Sequence, residues 1–241
     1  MRETEASNYN EAERFISQVP KFTVKNPLEE TKKFYAFLQE EIKEEQLGKI
    51  IHVAGTNGKG SVCAFLQQIF LESGYHVGMF VSPHLVTTRE RFVIDGEIVS
   101  EDAFVEAFNW LSAKINAYQA FLKDYTPTYF ERLFFMGLYL FAKAGIRITV
   151  LETGLGGRLD TTNVIKNPAL CVITEIGIDH TLYLGDTIEQ IAYEKAGIIK
   201  PNVPVVFWER NKEAFDVLMK KASDCGSQCF IVSKNEYKIN E

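Results

Sequence analysis

The chain has 241 residues, of which 46% are hydrophobic, 12% aromatic and 24% charged. That balance closes a sizeable core and excludes a disordered, collagenous or coiled-coil chain. Thirty-two acidic against 26 basic residues leave a net charge of −6 with no block of Lys or Arg, which argues against holding a nucleic acid by bulk attraction to its phosphates.

On a prior of roughly 150 residues per domain, the length fits one large domain, or one plus a fragment. Residues 1–14 are polar and acidic and lack the basic n-region and apolar h-region of a signal peptide. The longest strongly apolar run, 133–142, stops at Lys143, about half the ~20 residues that span a bilayer, so a soluble chain with no membrane contact is expected. Cys63, Cys171, Cys225 and Cys229 are too scattered for a disulfide framework, and the last two lack the CxxC spacing of a zinc site. Reduced thiols and a cytoplasmic location are expected.

In chain order, amphipathic segments at 10–19 and 28–47 come first and are expected to pack on one face. Residues 49–54 (KIIHVA) read as a strand, followed by a Gly-rich turn and a helix whose apolar positions are Val62, Phe65, Leu66, Ile69 and Phe70. A second strand at 77–81 directly follows Gly74, as a short crossover to a parallel neighbour requires. Asp95-Gly96 between apolar residues marks a hairpin over 91–99, expected as a surface excursion. Phe104, Phe108, Leu111, Ile115, Tyr118 and Leu122 recur at helical spacing, so a helix over 101–123 is predicted with Ser100 as its N-cap.

Thr126 and Pro127 fit N-cap and N1 of the next helix, which Gly145 ends. Strands at 147–151, 170–174, 205–207 and 229–232 then alternate with helices near 187–198 and 212–222. This order predicts an α/β fold, a doubly wound and mostly parallel sheet with helices on both faces. The tail from Ser233 is polar, and no second core is visible.

The run Ala54-Gly55-Thr56-Asn57-Gly58-Lys59-Gly60-Ser61 lies between the first predicted strand and helix. Two glycines there let the backbone turn its N–H groups toward one point at a helix N-terminus, where those donors and the dipole favour a polyphosphate. Lys59 would reach the outer phosphates, and the Ser61 hydroxyl would ligate Mg²⁺ or donate to phosphate. Position 53 is Val and a glycine separates Lys59 from Ser61, so the P-loop match is imperfect. An ordinary Gly-rich turn is the competing reading.

In a doubly wound sheet, ligands bind beyond the carboxyl ends of the strands. Ser82 and His84 follow one predicted strand, Glu152 ends another, and Asp179 and His180 follow a third. A carboxylate and an imidazole beside a triphosphate suit a divalent ion that neutralises the transferred phosphoryl. Taken singly, each reads as well as a hydrogen-bonded loop residue. The glycines of 152–160 miss the spacing of a dinucleotide fingerprint and open no helix, and Lys195 alone reads as a solvated lysine favoured by a helix dipole.

Six motifs in order carry a resemblance: AGTNGKGS (54–61), SPHL (82–85), PTYFE (127–131), ETGLGGRLDTTN (152–163), DHTLYLG (179–185) and YEKAGI (193–198). Together they resemble the folylpolyglutamate synthase and dihydrofolate synthase family of the Mur ligase superfamily, over nearly the whole chain. The resemblance implies a P-loop NTPase-like Mur ligase central domain over residues 1–241. It implies an ATP-dependent amide ligase adding L-glutamate to folate or dihydropteroate through an acyl phosphate, with catalysis mostly by positioning and charge neutralisation.

It further implies that residues 56–61 hold ATP and that Ser82, Glu152 and His180 ligate Mg²⁺. Lys195, carbamylated by CO₂, would serve a second Mg²⁺ site, for which the amine must first be neutral. Lys59, His180 and Lys195 are then the catalytic groups. Tyr129 and Phe130 match the pterin contact, and Leu159, Asp160 and Thr161 the substrate loop; residues 22–28 are expected to add pteroate contacts. The partners implied are small molecules, with no nucleic acid, and a monomer at full length. Family members continue into a C-terminal domain, so the chain is expected to be a fragment or one piece of a split enzyme. A nucleotide- or pteroate-binding fragment without ligase activity is the alternative.

Overall fold

The computed structural model describes residues 4–20, 26–121 and 125–233. The first half of the chain carries α1 (Tyr9–Gln18), α2 (Leu28–Leu38), β1 (Lys49–Ala54), α3 (Lys59–Glu72), β2 (Val77–Phe80), β3 (Phe92–Ile94), β4 (Glu97–Ile98) and α4 (Glu101–Gln119). The second carries α5 (Tyr129–Ala144), β5 (Ile148–Glu152), β6 (Leu170–Ile173), α6 (Thr181–Leu184), α7 (Ile188–Ala196), β7 (Val205–Trp208), α8 (Lys212–Asp224) and β8 (Cys229–Val232). Two compact units result: Met1–Gly48 with Gln67–Thr149, and Lys49–Leu66 with Val150–Glu241. Among the described residues no helix is long and apolar enough to cross a membrane.

The second unit has the predicted α/β pattern. Its strands follow the order β5-β1-β6-β7-β8, and the pairs β1·β6, β6·β7 and β7·β8 are all parallel. Every residue of β1 after Lys49 is buried, as expected of a strand covered on both faces. Ala54, Cys171, Ile173, Ala196, Ile198, Val205, Phe207 and Leu218 form one apolar cluster in this unit.

Helices dominate the first unit, and its core is aromatic. Phe34 lies 5.0 Å from Tyr118 and 5.1 Å from Phe135 between ring centroids, both edge to face, the arrangement that ring quadrupoles favour. Ser100 caps α4 as expected, accepting from Ala103 N at 3.1 Å, and Phe104, Phe108, Leu111, Ile115 and Tyr118 are all buried. Leu122, placed on the same stripe, lies outside the described residues, as does most of the 22–28 segment.

Several boundaries differ from expectation. Within the amphipathic segment 28–47, α2 ends at Leu38 and a 3-10 turn spans Glu44–Leu47. A continuous helix would set Glu40 against Glu44 and Glu41 against Glu45 at i,i+4, where like charges repel. Thr128, not Thr126, caps α5, because Glu131 three residues on completes a capping box with it. The Asp95-Gly96 hairpin is no excursion, since β3 pairs antiparallel with β2 and its Phe92 is fully buried against Phe80 at 5.9 Å. Nor does 77–81 neighbour β1, which lies between β5 and β6. Helix α3 forms as predicted, but Phe65 and Ile69 on its apolar stripe face outward, 69% and 59% exposed.

Candidate active site

The Gly-rich loop of the second unit, the candidate phosphate loop, runs from the buried end of β1 into α3 and is fastened to the segment after β6. Thr56 N donates to Glu175 O at 2.7 Å, and the Thr56 hydroxyl bonds both the N–H and the carbonyl of Gly177 at 3.1 Å. Thr174 Oγ1 donates to Asn57 O at 2.7 Å. A Cβ at Gly55 would fall 1.8 Å from Thr174 Oγ1, so only glycine lets the two segments lie this close. Gly58 and Gly60 are exposed around the N-terminus of α3, and Ser61 is exposed in its first turn.

Two lysines meet at this loop. Lys59, the first residue of α3, folds back so that Nζ donates to Gly55 O at 3.1 Å and Thr56 O at 3.3 Å. Lys195, buried in the last turn of α7, donates to the same Gly55 oxygen at 2.8 Å. Burial first, and the neighbouring Lys59 cation second, push the Lys195 ammonium down to about 8, while Asp179 and Asp160 oppose the shift. About a tenth of the amine is then neutral at pH 7, far more than for an ordinary lysine.

Glu152, at the buried end of β5, completes the convergence. Its Oε2 lies 3.8 Å from where a Cβ on Gly60 would sit, which places the carboxylate beside the first turn of α3, and its charge also raises the pKa of the buried Cys63 thiol, after burial itself. A buried carboxylate at a phosphate loop is the hard oxygen donor that Mg²⁺ takes together with phosphates and water, so Glu152 fits that ion. Among the described residues no group of three or more His, Cys, Asp and Glu side chains gathers as a metal cluster. Protein donors would therefore be few, with phosphate oxygens completing the shell.

His180 lies in the same unit, exposed, in the left-handed region before the short α6; its ring contacts Asp179 at 3.5 Å. Through Asp179 this turn reaches Lys195 electrostatically. Loop 153–160 is pinned to α7: Arg158 N donates to Glu194 O at 2.7 Å and its guanidinium pairs with Glu194 at 2.8 Å. A Cβ on Gly157 would fall 2.8 Å from Glu194 O. Leu159 is half exposed, Thr161 begins a 3-10 turn, and Asp160 is buried. Asp160 points inward: Oδ2 accepts from Gly154 N and Leu155 N, and Oδ1 from the backbone and hydroxyl of Thr162.

The first unit holds the remaining predicted residues. Ser82 is half-buried and joined to Pro83 by a cis peptide bond, and the His84 ring accepts from Arg91 Nε at 2.9 Å. Tyr129, the first residue of α5, is buried with the Arg91 guanidinium 5.7 Å over its ring; burial raises its hydroxyl pKa, and Arg91 and Thr88 pull the other way. Phe130 is half-buried, 5.8 Å from Phe80. Sequence reasoning passed over Glu175, whose carbonyl fastens Thr56, and the buried pair His52 and Thr162. The one signal was a histidine inside the otherwise apolar KIIHVA run.

Residues 53–240 match the model of the Mur ligase middle domain. The chain is 40% identical over 214 residues to an Arabidopsis thaliana folylpolyglutamate synthase, covering 89% of this chain and 34% of that protein. A Bacillus subtilis dihydrofolate synthase/folylpolyglutamate synthase is 40% identical over 216 residues, covering 89% and 49%. A solved FPGS–AMPPCP–folate complex superposes with a TM-score of 0.88 at 32% identity, over 97% of this chain and 57% of that one. The chain thus spans between a third and somewhat over half of these relatives. With a family model over most of its length and these likenesses behind it, the chain belongs to the Mur ligase superfamily, in its folylpolyglutamate synthase and dihydrofolate synthase family.

Proposed function

We propose that residues 1–241 are the ATP-binding domain of an ATP-dependent ligase that joins L-glutamate to a folate or dihydropteroate. The observation that carries this reading is the convergence at the phosphate loop, where Lys59 and Lys195 share the Gly55 carbonyl and Glu152 faces the first turn of α3. That two relatives are named for folate ligation and a third was solved with AMPPCP and folate supports it.

In this reading residues 57–61 hold the phosphates, Thr56 fixes the loop through its bonds to Glu175 and Gly177, and Lys59 exchanges its loop carbonyls for the outer phosphate oxygens. In the second unit Glu152, His180 and Lys195 as its carbamate would hold Mg²⁺, where the ion supplies charge neutralisation; Ser82, in the first unit, is a further candidate ligand. The neutral fraction of the Lys195 amine supports carbamate formation, since only an unprotonated amine adds to CO₂. Tyr129 and Phe130 take the pterin, and Leu159, Asp160 and Thr161 form the substrate loop. Asp160 serves there by shaping the loop, because both its oxygens already accept internal donors.

A carboxylate oxygen of the substrate attacks the γ-phosphorus and ADP leaves, giving an acyl phosphate. The glutamate amine then adds to the acyl carbon, the tetrahedral adduct expels phosphate, and loss of a proton leaves the amide. These residues contribute mainly orientation and charge, which suffices when little covalent chemistry falls to the protein.

Calorimetric titration with Mg²⁺ and AMPPCP tests the reading. The chain should bind saturably, and Lys59→Ala should weaken binding about tenfold or more, as loss of a charge-assisted bond implies. An unchanged Lys59→Ala titration rejects it. Because the chain covers only part of its relatives, a second reading has it bind nucleotide or pteroate without ligating. Glutamate-dependent phosphate release by this chain alone would sink that alternative.

A further inference from the structure

His52 is the one strongly polar side chain on β1 beyond its first residue, and it is fully buried. Its Nε2 lies 2.8 Å from Thr162 Oγ1, while its Nδ1 is buried with no hydrogen-bond partner. The Thr162 hydroxyl has one proton, which it donates to Asp160 Oδ1 at 2.5 Å. Only the hydroxyl's lone pairs remain for the ring, so Nε2 must carry the imidazole proton and Nδ1 the bare lone pair. Burial pushes the pKa of His52 down to about 3, helped by the Lys200 charge. The ring is thus a neutral N–H donor at any working pH.

The chain of donors then runs in one direction, from His52 through the Thr162 hydroxyl to Asp160 Oδ1. The other carboxylate oxygen, Oδ2, accepts from Gly154 N at 3.1 Å and Leu155 N at 2.9 Å. Those two amides follow Glu152 and Thr153 directly, so the orientation of Asp160 fixes where the backbone goes as it leaves the carboxylate at the phosphate loop. Oδ1 also accepts from Thr162 N at 3.0 Å, and the hydroxyl, itself fixed by the ring of His52 on the strand, adds a second and shorter donor at 2.5 Å.

We infer that His52 is a positioning residue which, as a fixed donor acting through Thr162, orients Asp160 and thereby the 153–155 backbone that sets the Glu152 carboxylate. Its bearing on Mg²⁺-dependent nucleotide binding rests on the ligase reading; the relay itself does not. Outer hydrogen-bond partners of this kind change metal affinity by about 10- to 100-fold when removed from known sites.

The substitution that isolates the relay is Thr162→Val, which keeps the shape and removes the hydroxyl; Thr162→Ser restores the hydroxyl. Amide exchange by NMR should show Gly154 and Leu155 exchanging about tenfold faster in Thr162→Val, with protection elsewhere in the unit kept and with Thr162→Ser near wild type. In the unsubstituted chain, ¹⁵N shifts of the His52 ring should report the proton on Nε2. Titration with AMPPCP, with and without Mg²⁺, should show Thr162→Val losing about tenfold of the Mg²⁺-dependent gain and none of the metal-free affinity.

A proton on Nδ1, or unchanged exchange at Gly154 and Leu155 in Thr162→Val, or a Thr162→Ser variant as impaired as Thr162→Val, each overturns the relay. A full Mg²⁺-dependent gain in Thr162→Val overturns its link to the metal site. If the unsubstituted chain binds no AMPPCP at all, the ligase reading fails and with it the link to the metal, while the exchange and ring-shift measurements still decide the relay.

Discussion

The two units are built from different materials. The first fills its interior with large rings: Phe34, Phe92, Phe104, Phe134, Phe135 and Phe141 are each buried completely. The second has smaller apolar residues around its strands, and both units bury polar groups as well, Thr31, Arg91, Glu131 and Arg132 in the first and His52, Glu152, Asp160, Thr162 and Lys195 in the second. Apolar burial is indifferent to pH and forgiving of direction, whereas a buried polar group stabilises only in one protonation state and one orientation. The rings of the first unit tolerate a change of protonation, whereas the polar network around His52, Asp160 and Lys195 in the second does not.

The sharpest way to break the contrast is in the aromatic core. Phe135→Ala removes a ring that contacts Phe34 and Phe134 at 5.1 and 5.4 Å and should cost about 3–5 kcal/mol in denaturant unfolding. A loss under about 1 kcal/mol would show that this core collapses freely around the gap.

A second experiment sharpens it from the polar side. His52 has a pKa of about 3 in the folded chain against 6.5 when unfolded, so below about pH 6.5 the unfolded chain gains a proton that the folded chain refuses. Stability should therefore fall as pH drops from 6.5 toward 3, by about 1.4 kcal/mol per pH unit, or roughly 2 kcal/mol at pH 5. His52→Gln should abolish that part of the acid limb. An acid limb identical in the two proteins would assign the loss to other groups.

The smallest effect belongs to the surface. Lys32 and Glu29 pair at 2.7 Å with both side chains largely in water, so Lys32→Ala should shift unfolding by less than about 0.5 kcal/mol. Any larger change would mean that α2 depends on its charges more than on Phe34 and Leu38.

Local patterns were legible and distant ones were not. The β1–loop–α3 succession, the Ser100 cap and the α4 stripe depend on neighbours within a turn or two, and the structure has them all. The break after Leu38 is also local, written in the repeated glutamates at 40, 41, 44 and 45. By contrast, the pairing of β3 with β2 and the outward turn of Phe65 depend on what lies opposite, which no window of sequence contains. At the candidate site, Lys59 and Glu152 could be named from position alone, but the role of His52 required knowing that Thr162 arrives beside it from 110 residues away.

One oxygen has a further consequence. Gly55 O receives ammonium groups from both Lys59 and Lys195, two like charges gathered on a neutral acceptor. Under the proposed function, a phosphate that takes Lys59 would compete with the carbonyls of Gly55 and Thr56. Every measured affinity is then a difference between two contacts, and relieving the crowding at Gly55 offsets part of what Lys59 gives up.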